Sequence, residues 1–103
     1  MRDGYRFEFG AFDKPDAPKA QALKPLEEAA EVYGAWQDCD DMRLSPIMTA
    51  RREYEGVRKE LIDECMDVVQ AVVNLLDAEG FTQEDVDTAI ERCNERNRER
   101  GRL

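Results

Sequence analysis

Apolar positions recur at helical spacing through most of this chain, and at a spacing of two only in its first residues. Tyr5, Phe7 and Phe9 alternate with Arg6 and Glu8, the pattern of an extended strand with one apolar face. No later segment offers that strand a partner, so it is expected to lie flat on helices or to pair with its copy in another subunit. Asp13-Lys14-Pro15-Asp16-Ala17-Pro18 reads as a turn-rich connector with Asp16 as a helix N-cap. Residues 1–18 thus form an arm and connector, and 19–103 a helical domain.

The first helix is expected from Lys19 to about Asp38, restarting or kinking at Pro25. At 100° per residue Leu23, Leu26, Ala29, Ala30, Tyr33 and Trp36 share one face. Glu28 lies beside that face, and Glu27 and Glu31 lie further towards the polar side. Residues 38–49 lose the period and contain Ser45-Pro46, which predicts a connector.

A second helix runs from Arg51 to Glu79, with Gly80 placed as a C-cap. Its apolar set, from Val57 through Leu61, Cys65, Val69 and Val73 to Leu76, covers nearly half the circumference. Such a helix spans roughly 40 Å, as long as a domain of this size is wide. Other chains are therefore expected to cover part of it, as a homodimer or homotetramer. Thr82-Gln83-Glu84-Asp85 then opens a third helix as a capping box with Asp in the Glu position. That helix carries Val86, Ala89, Ile90 and Cys93 on its apolar side and ends in a polar tail. The fold class expected is all-α, a helical bundle completed by oligomerisation, with a short extended arm.

Charge narrows the functions available. The chain has 24 acidic against 15 basic residues in 103, a net charge of −9. That balance argues against binding nucleic acid through its phosphates and suits divalent cations. It contains no His, which removes imidazole bases, Ser-His and Cys-His nucleophiles, and His-bearing metal sites. Carboxylate oxygens favour hard ions such as Mg²⁺, Mn²⁺ or Ca²⁺. Cys39, Cys65 and Cys93 are widely spaced and odd in number, which suggests no disulfide framework and a reducing, cytoplasmic setting. Cys65 and Cys93 fall on apolar helical positions and are expected in the core. No apolar run reaches membrane length.

The acidic residues that matter lie at packing edges. Glu60, Glu64 and Asp67 form a stripe about 60° wide that borders the apolar arc of the second helix. Glu28 and Glu31 sit one turn apart on the first. Like charges so stacked repel, and a cation between the two helices would neutralise them. Taken singly, either cluster is equally well a solvated helix face; consecutive helices pack as antiparallel neighbours, which joins the two.

Lys24-Pro25-Leu26-Glu27-Glu28-Ala29-Ala30-Glu31 followed by Glu64-Cys65-Met66-Asp67 resembles the EExxE…ExxD signature of the MazG-like all-α nucleotide pyrophosphohydrolases. The helix, Gly turn and helix of residues 74–86 resemble that superfamily too. Asn97-Arg98-Glu99-Arg100-Gly101 is similar to its NxxRG closing motif. Phosphoribosyl-ATP pyrophosphohydrolases, the sister group, share the first two elements. The likeness covers about Lys19 to Gly101. The 32-residue spacer between Glu31 and Glu64 is longer than is usual in the family, and the aromatic arm has no counterpart.

The resemblance implies hydrolysis of a nucleoside triphosphate at the α–β bond, giving monophosphate and pyrophosphate. Glu28, Glu31, Glu64 and Asp67 would hold Mg²⁺, or Mn²⁺ in its place, and would be the catalytic set. Lys24 would meet a phosphate oxygen or stay solvated. Asn97 and Arg100 would reach phosphate or base, or simply end a helix where basic residues suit the dipole. Trp36 and Tyr33 would stack on a base or pack in the core. The rival readings are phosphoribosyl-ATP hydrolysis and a non-enzymatic acidic helical interaction protein.

Overall fold

The computed structural model describes residues 2–44 and 51–103. Among these are three helices and no strand: α1 (Pro18–Arg43), α2 (Arg51–Ala78) and α3 (Gln83–Glu99). The chain is all-α.

Helices α1 and α2 pack as an antiparallel pair. The Cys39 thiol donates to the Val57 carbonyl at 3.2 Å, while Gln21 and Ala71 share a cavity wall near the opposite end. On α1 the buried or half-buried residues at 21, 25, 28, 32, 35, 39 and 42 are spaced alternately by four and three. On α2 the same alternation joins Val57, Leu61, Glu64, Val68, Ala71 and Leu75. This is the spacing of a coiled-coil seam. Its α1 side carries no Leu, Ile or aromatic residue: Ala35, Cys39 and Gln21 are buried, and at Cys39 the thiol reaches the α2 backbone.

That seam corrects the face expected on α1. Leu23, Leu26, Tyr33 and Trp36 are exposed, Leu26 at 68% and Tyr33 at 60%. They centre about 140° round the helix from the seam at 100° per residue. Tyr33 and Trp36 stack on each other in solvent, ring centroids 6.1 Å apart. Large apolar size drew the expectation to this face, but α2 takes the face that carries Ala35 and Cys39.

The seam also explains why α1 is longer than expected. Cys39 and Met42 continue the alternation, so residues 38–43 stay helical where a connector was expected. The rest of that expected connector, 45–49, lies outside the described residues. Pro25 lies within an unbroken α1; its missing N–H leaves the Gln21 carbonyl without an i+4 donor. Asp16 does not cap the helix. Ala17 holds the N-cap position with no side-chain bond, and the Asp16 N–H donates to Gln21 Oε1 at 3.0 Å.

The arm is extended but forms no strand, because it finds side chains to pair with and not a neighbouring backbone. Gln70 Nε2 donates to the Gly10 carbonyl at 2.8 Å, and the Phe12 N–H donates to Asn74 Oδ1 at 3.0 Å. It therefore lies along α2, the first of the two arrangements expected.

The turn after α2 follows its sequence signals. Phe81 N–H bonds the Leu76 carbonyl at 3.1 Å and Gly80 N–H the Asp77 carbonyl at 3.0 Å, with Gly80 at φ +79°. This is a Schellman stop. Thr82 and Asp85 form the expected capping box, with bonds of 2.9 and 3.1 Å. These bonds hold the Asp85 carboxyl below its ordinary value. A Cβ at residue 80 would meet nothing within 4 Å, so Gly80→Ala tests backbone strain alone. It should cost about 1–2 kcal/mol, seen as a melting temperature lower by roughly 4–8 °C or more.

Helix α3 buries no residue. Its apolar residues Val86 and Ile90 face Val73 and Leu76 of α2 and Phe9 of the arm across a cavity of about 750 Å³. The accessible surface is 8751 Å², against about 5,900 Å² for a compact monomer of this mass. The radius of gyration, 17.1 Å, likewise exceeds the roughly 13 Å of a compact chain this long.

Candidate metal centre

Apart from Gln21 near one end, the α1–α2 seam is apolar or small except at its middle. There Glu28 and Glu64 occupy seam positions, opposite each other, and Asp67 flanks them one turn along α2. One carboxylate oxygen from each of the three lies within 4.8 Å of the others. Glu31, one turn beyond Glu28, is close enough to hydrogen-bond to both Glu28 and Glu64. Three of the four carboxylates expected at the site are thus grouped, from two helices, with Glu31 beside them and outside that group.

The electrostatics are those of an unneutralised cluster. Burial, then the charge of Glu31, hold the Glu28 carboxyl above its ordinary 4.5, with Asp67 adding to the effect and Lys24 opposing it. Glu64 is raised chiefly by sharing a hydrogen bond with Glu31, then by burial and by the neighbouring carboxylates. Glu64 Oε2 is buried and has no hydrogen-bond partner. A buried carboxylate oxygen without a donor is costly, and among the described residues no Lys, Arg or amide answers this one.

A hard cation fits what is missing. Oxygens around Mg²⁺ at about 2.1 Å lie about 3 Å apart when adjacent and about 4.2 Å when opposite. Three oxygens already within 4.8 Å need only small side-chain rotations to reach those separations. The donor set is all oxygen, as such an ion requires.

The other expected residues divide. Lys24 lies beside the cluster, in a cavity of about 460 Å³ that also includes Glu28 and Asp67. Its ammonium contacts Glu27 at 3.4 Å, and Glu27 lies outside the carboxylate group. Glu60 is exposed and outside the carboxylate group. Asn97 and Arg100 are not brought to the cluster. They belong to a second Schellman stop, in which Arg102 N–H bonds the Asn97 carbonyl at 2.8 Å and Gly101 N–H the Arg98 carbonyl at 2.9 Å. Gly101 has φ +71°, so a helix stop accounts for Gly101 in the NxxRG motif within one chain. Cys39 is buried, as a core thiol; Cys65 is half-buried, and Cys93 is exposed where the core was expected.

Sequence reasoning missed Gln70 and Asn74, which line the same cavity as Lys24. Their signal was present: they follow Asp67 by three and seven residues, on one helix face. It also missed Lys14, which the arm brings into that cavity.

Comparisons of the chain with family models, characterised proteins and solved structures find no match. The reading of the site therefore rests on its own chemistry and on the motif resemblance. Among the described residues no helix is long and apolar enough to cross a membrane.

Proposed function

We propose that this chain is a Mg²⁺-dependent nucleotide pyrophosphohydrolase of MazG-like type, cleaving a nucleoside triphosphate between its α and β phosphates. The observation that carries the reading is the convergence of Glu28, Glu64 and Asp67 from two helices, with Glu64 Oε2 buried and unpartnered. An acidic interaction surface would present its carboxylates to solvent, where water satisfies them; it has no need to bury one in a helix seam.

In this reading Glu28, Glu31, Glu64 and Asp67 hold the ion. When bound, Mg²⁺ offsets phosphate charge and provides Lewis-acid stabilisation of the leaving pyrophosphate. The chain's own groups do the rest. Glu31 is exposed at the rim of the cluster; a carboxylate oxygen that the ion leaves uncoordinated takes the proton of a water whose oxygen attacks the α-phosphorus. The bridging P–O bond breaks, and pyrophosphate leaves with the electron pair. Lys24 and Lys14 border the cavity on which the phosphates would lie. Lys14 makes no ion pair among the described residues.

The same reading includes assembly of two or four copies. The excess surface and the exposed stripe of α1 are what a subunit presents before its interfaces close.

The test is a panel of ribo- and deoxynucleoside triphosphates, with phosphoribosyl-ATP, incubated with Mg²⁺ and scored for pyrophosphate and for orthophosphate. Pyrophosphate and monophosphate in equal amounts are expected from at least one triphosphate. Orthophosphate alone, or no product, sinks the assignment.

A further inference from the structure

The cavity beside the carboxylates has a polar wall whose hydrogen-bond inventory can be closed. Gln70 Nε2 uses both its hydrogens, one on the Gly10 carbonyl at 2.8 Å and one on Asn74 Oδ1 at 3.0 Å. Asn74 Oδ1 also accepts from the Phe12 N–H at 3.0 Å. The arm's backbone therefore fixes which end of each amide is which. What remains uncommitted among the described residues is one acceptor, Gln70 Oε1, and one donor group, Asn74 Nδ2. Both residues line the cavity, together with Phe12 and Lys14 of the arm. An acceptor and a donor on two amides bonded to each other, in a cavity also lined by a phenylalanine and a lysine, suit the edge of a nucleobase followed by phosphate. The volume, about 460 Å³, is that of a small-ligand pocket.

We propose that Gln70 and Asn74, oriented by the arm, are the residues that read the nucleobase, so that the arm sets nucleotide specificity. This rests on the pyrophosphohydrolase reading for the kind of ligand, but not for its test. The amides sit one and two turns beyond Asp67 on α2. A nucleotide would thus lie with its phosphates at the carboxylates and its base towards the arm. The two amides bind and select; neither touches the bond that breaks.

Asn74→Asp isolates the point, because it keeps the oxygen that accepts from Phe12 and Gln70 and removes only the free donor. Binding of α,β-methylene nucleoside triphosphates, which cannot be cleaved, is measured with Mg²⁺ by calorimetry. The tightest-binding analogue should lose about tenfold in affinity, the worth of one such hydrogen bond. Inorganic tripolyphosphate, which has no base, should change less than about twofold, and this separates base reading from the added charge. Phe12→Ala should likewise weaken the nucleotide and spare tripolyphosphate. Equal losses for nucleotide and tripolyphosphate, no loss for either, or failure of every analogue to bind the wild-type chain would overturn the proposal. Pyrophosphate release without these effects leaves the hydrolase reading standing and base reading refuted. Analogue binding that depends on Asn74, in a chain that releases no pyrophosphate, upholds base reading and refutes the hydrolase.

Discussion

Glu64→Gln should abolish pyrophosphate release while making the metal-free protein harder to melt at neutral pH. The two effects have one cause. Glu64 sits in the α1–α2 seam with an oxygen that has no donor, beside Glu31, Glu28 and Asp67. At neutral pH the folded state must carry that charge against its neighbours, whereas the unfolded chain does not. Glu64 and Glu28 are both raised above 4.5, which fixes the sign of the pH dependence. The folded state binds protons more tightly, so the stability these groups allow is fully present below about 4.5 and is lost as pH rises through their raised values. The metal-free wild type should therefore melt higher near pH 4.5 than at pH 7, as far as these two groups decide it. Glu64→Gln removes part of that loss, and Glu28→Gln should do the same.

A bound cation removes it differently. Mg²⁺ or Mn²⁺ at about a hundred times its dissociation constant stabilises the wild type by about 2.7 kcal/mol, and by much less in either Gln variant. Lowering the pH towards 4.5 should weaken that stabilisation, since the ion competes with protons for the same oxygens. Activity should fall by at least about 100-fold in each variant, because even outer-shell partners of metal ligands are worth 10- to 100-fold. Melting curves with and without the ion, at pH 5 and 7, together with pyrophosphate assays, check all of this. A Gln variant that keeps wild-type turnover, or a wild type that no divalent ion stabilises, contradicts the site.

How much of this was legible in the sequence follows from which signals are local. The helix stops were legible because their chemistry is local: Gly80 with Phe81, and Thr82 with Asp85, are turn and cap within a few residues. The four carboxylates were legible as pairs one turn apart, and their joining needed only that consecutive helices pack antiparallel. The face of α1 was not legible, for a physical reason. Periodicity marks which residues are apolar but not which partner takes them, and α1 has two stripes. The stripe of large residues carries the stronger signal, while the stripe through Ala35 and Cys39 is what α2 accepts. Glu28 looked peripheral to the first stripe and proves to lie within the second. Gln70 and Asn74 were missed because their spacing from Asp67 shows only a shared helix face; what an amide there can bind is decided once the arm's backbone commits half of its hydrogen bonds.

The unaccepted stripe leads to the second large effect. Leu26, Tyr33 and Trp36 are more than 40% exposed, and Ile62 of α2 is 59% exposed. The surface exceeds that of a compact monomer by almost half, roughly 2,800 Å², more than one subunit contributes to a standard interface. Aromatic side chains of this kind are where interface energy concentrates, at about 2–4 kcal/mol when removed from the centre of a patch. If copies of the chain meet over α1, Trp36→Glu should raise the dissociation constant about 30- to 1,000-fold, and a charge buried against a second −9 chain adds to that. Sedimentation at micromolar concentration should show the wild type assembled and the variant as an 11.9 kDa monomer. The helix pair itself should survive, because Trp36 is not one of the seam positions, although it lies only about 70° round α1 from the seam centre. Its readout is the cation-dependent rise in melting temperature, which uses only carboxylates of one chain. A Trp36→Glu variant that stays assembled places the interface elsewhere, over the open faces of α2 and α3. A variant that loses the cation response along with assembly would mean that the seam depends on the partner to hold Glu28 and Glu64 together.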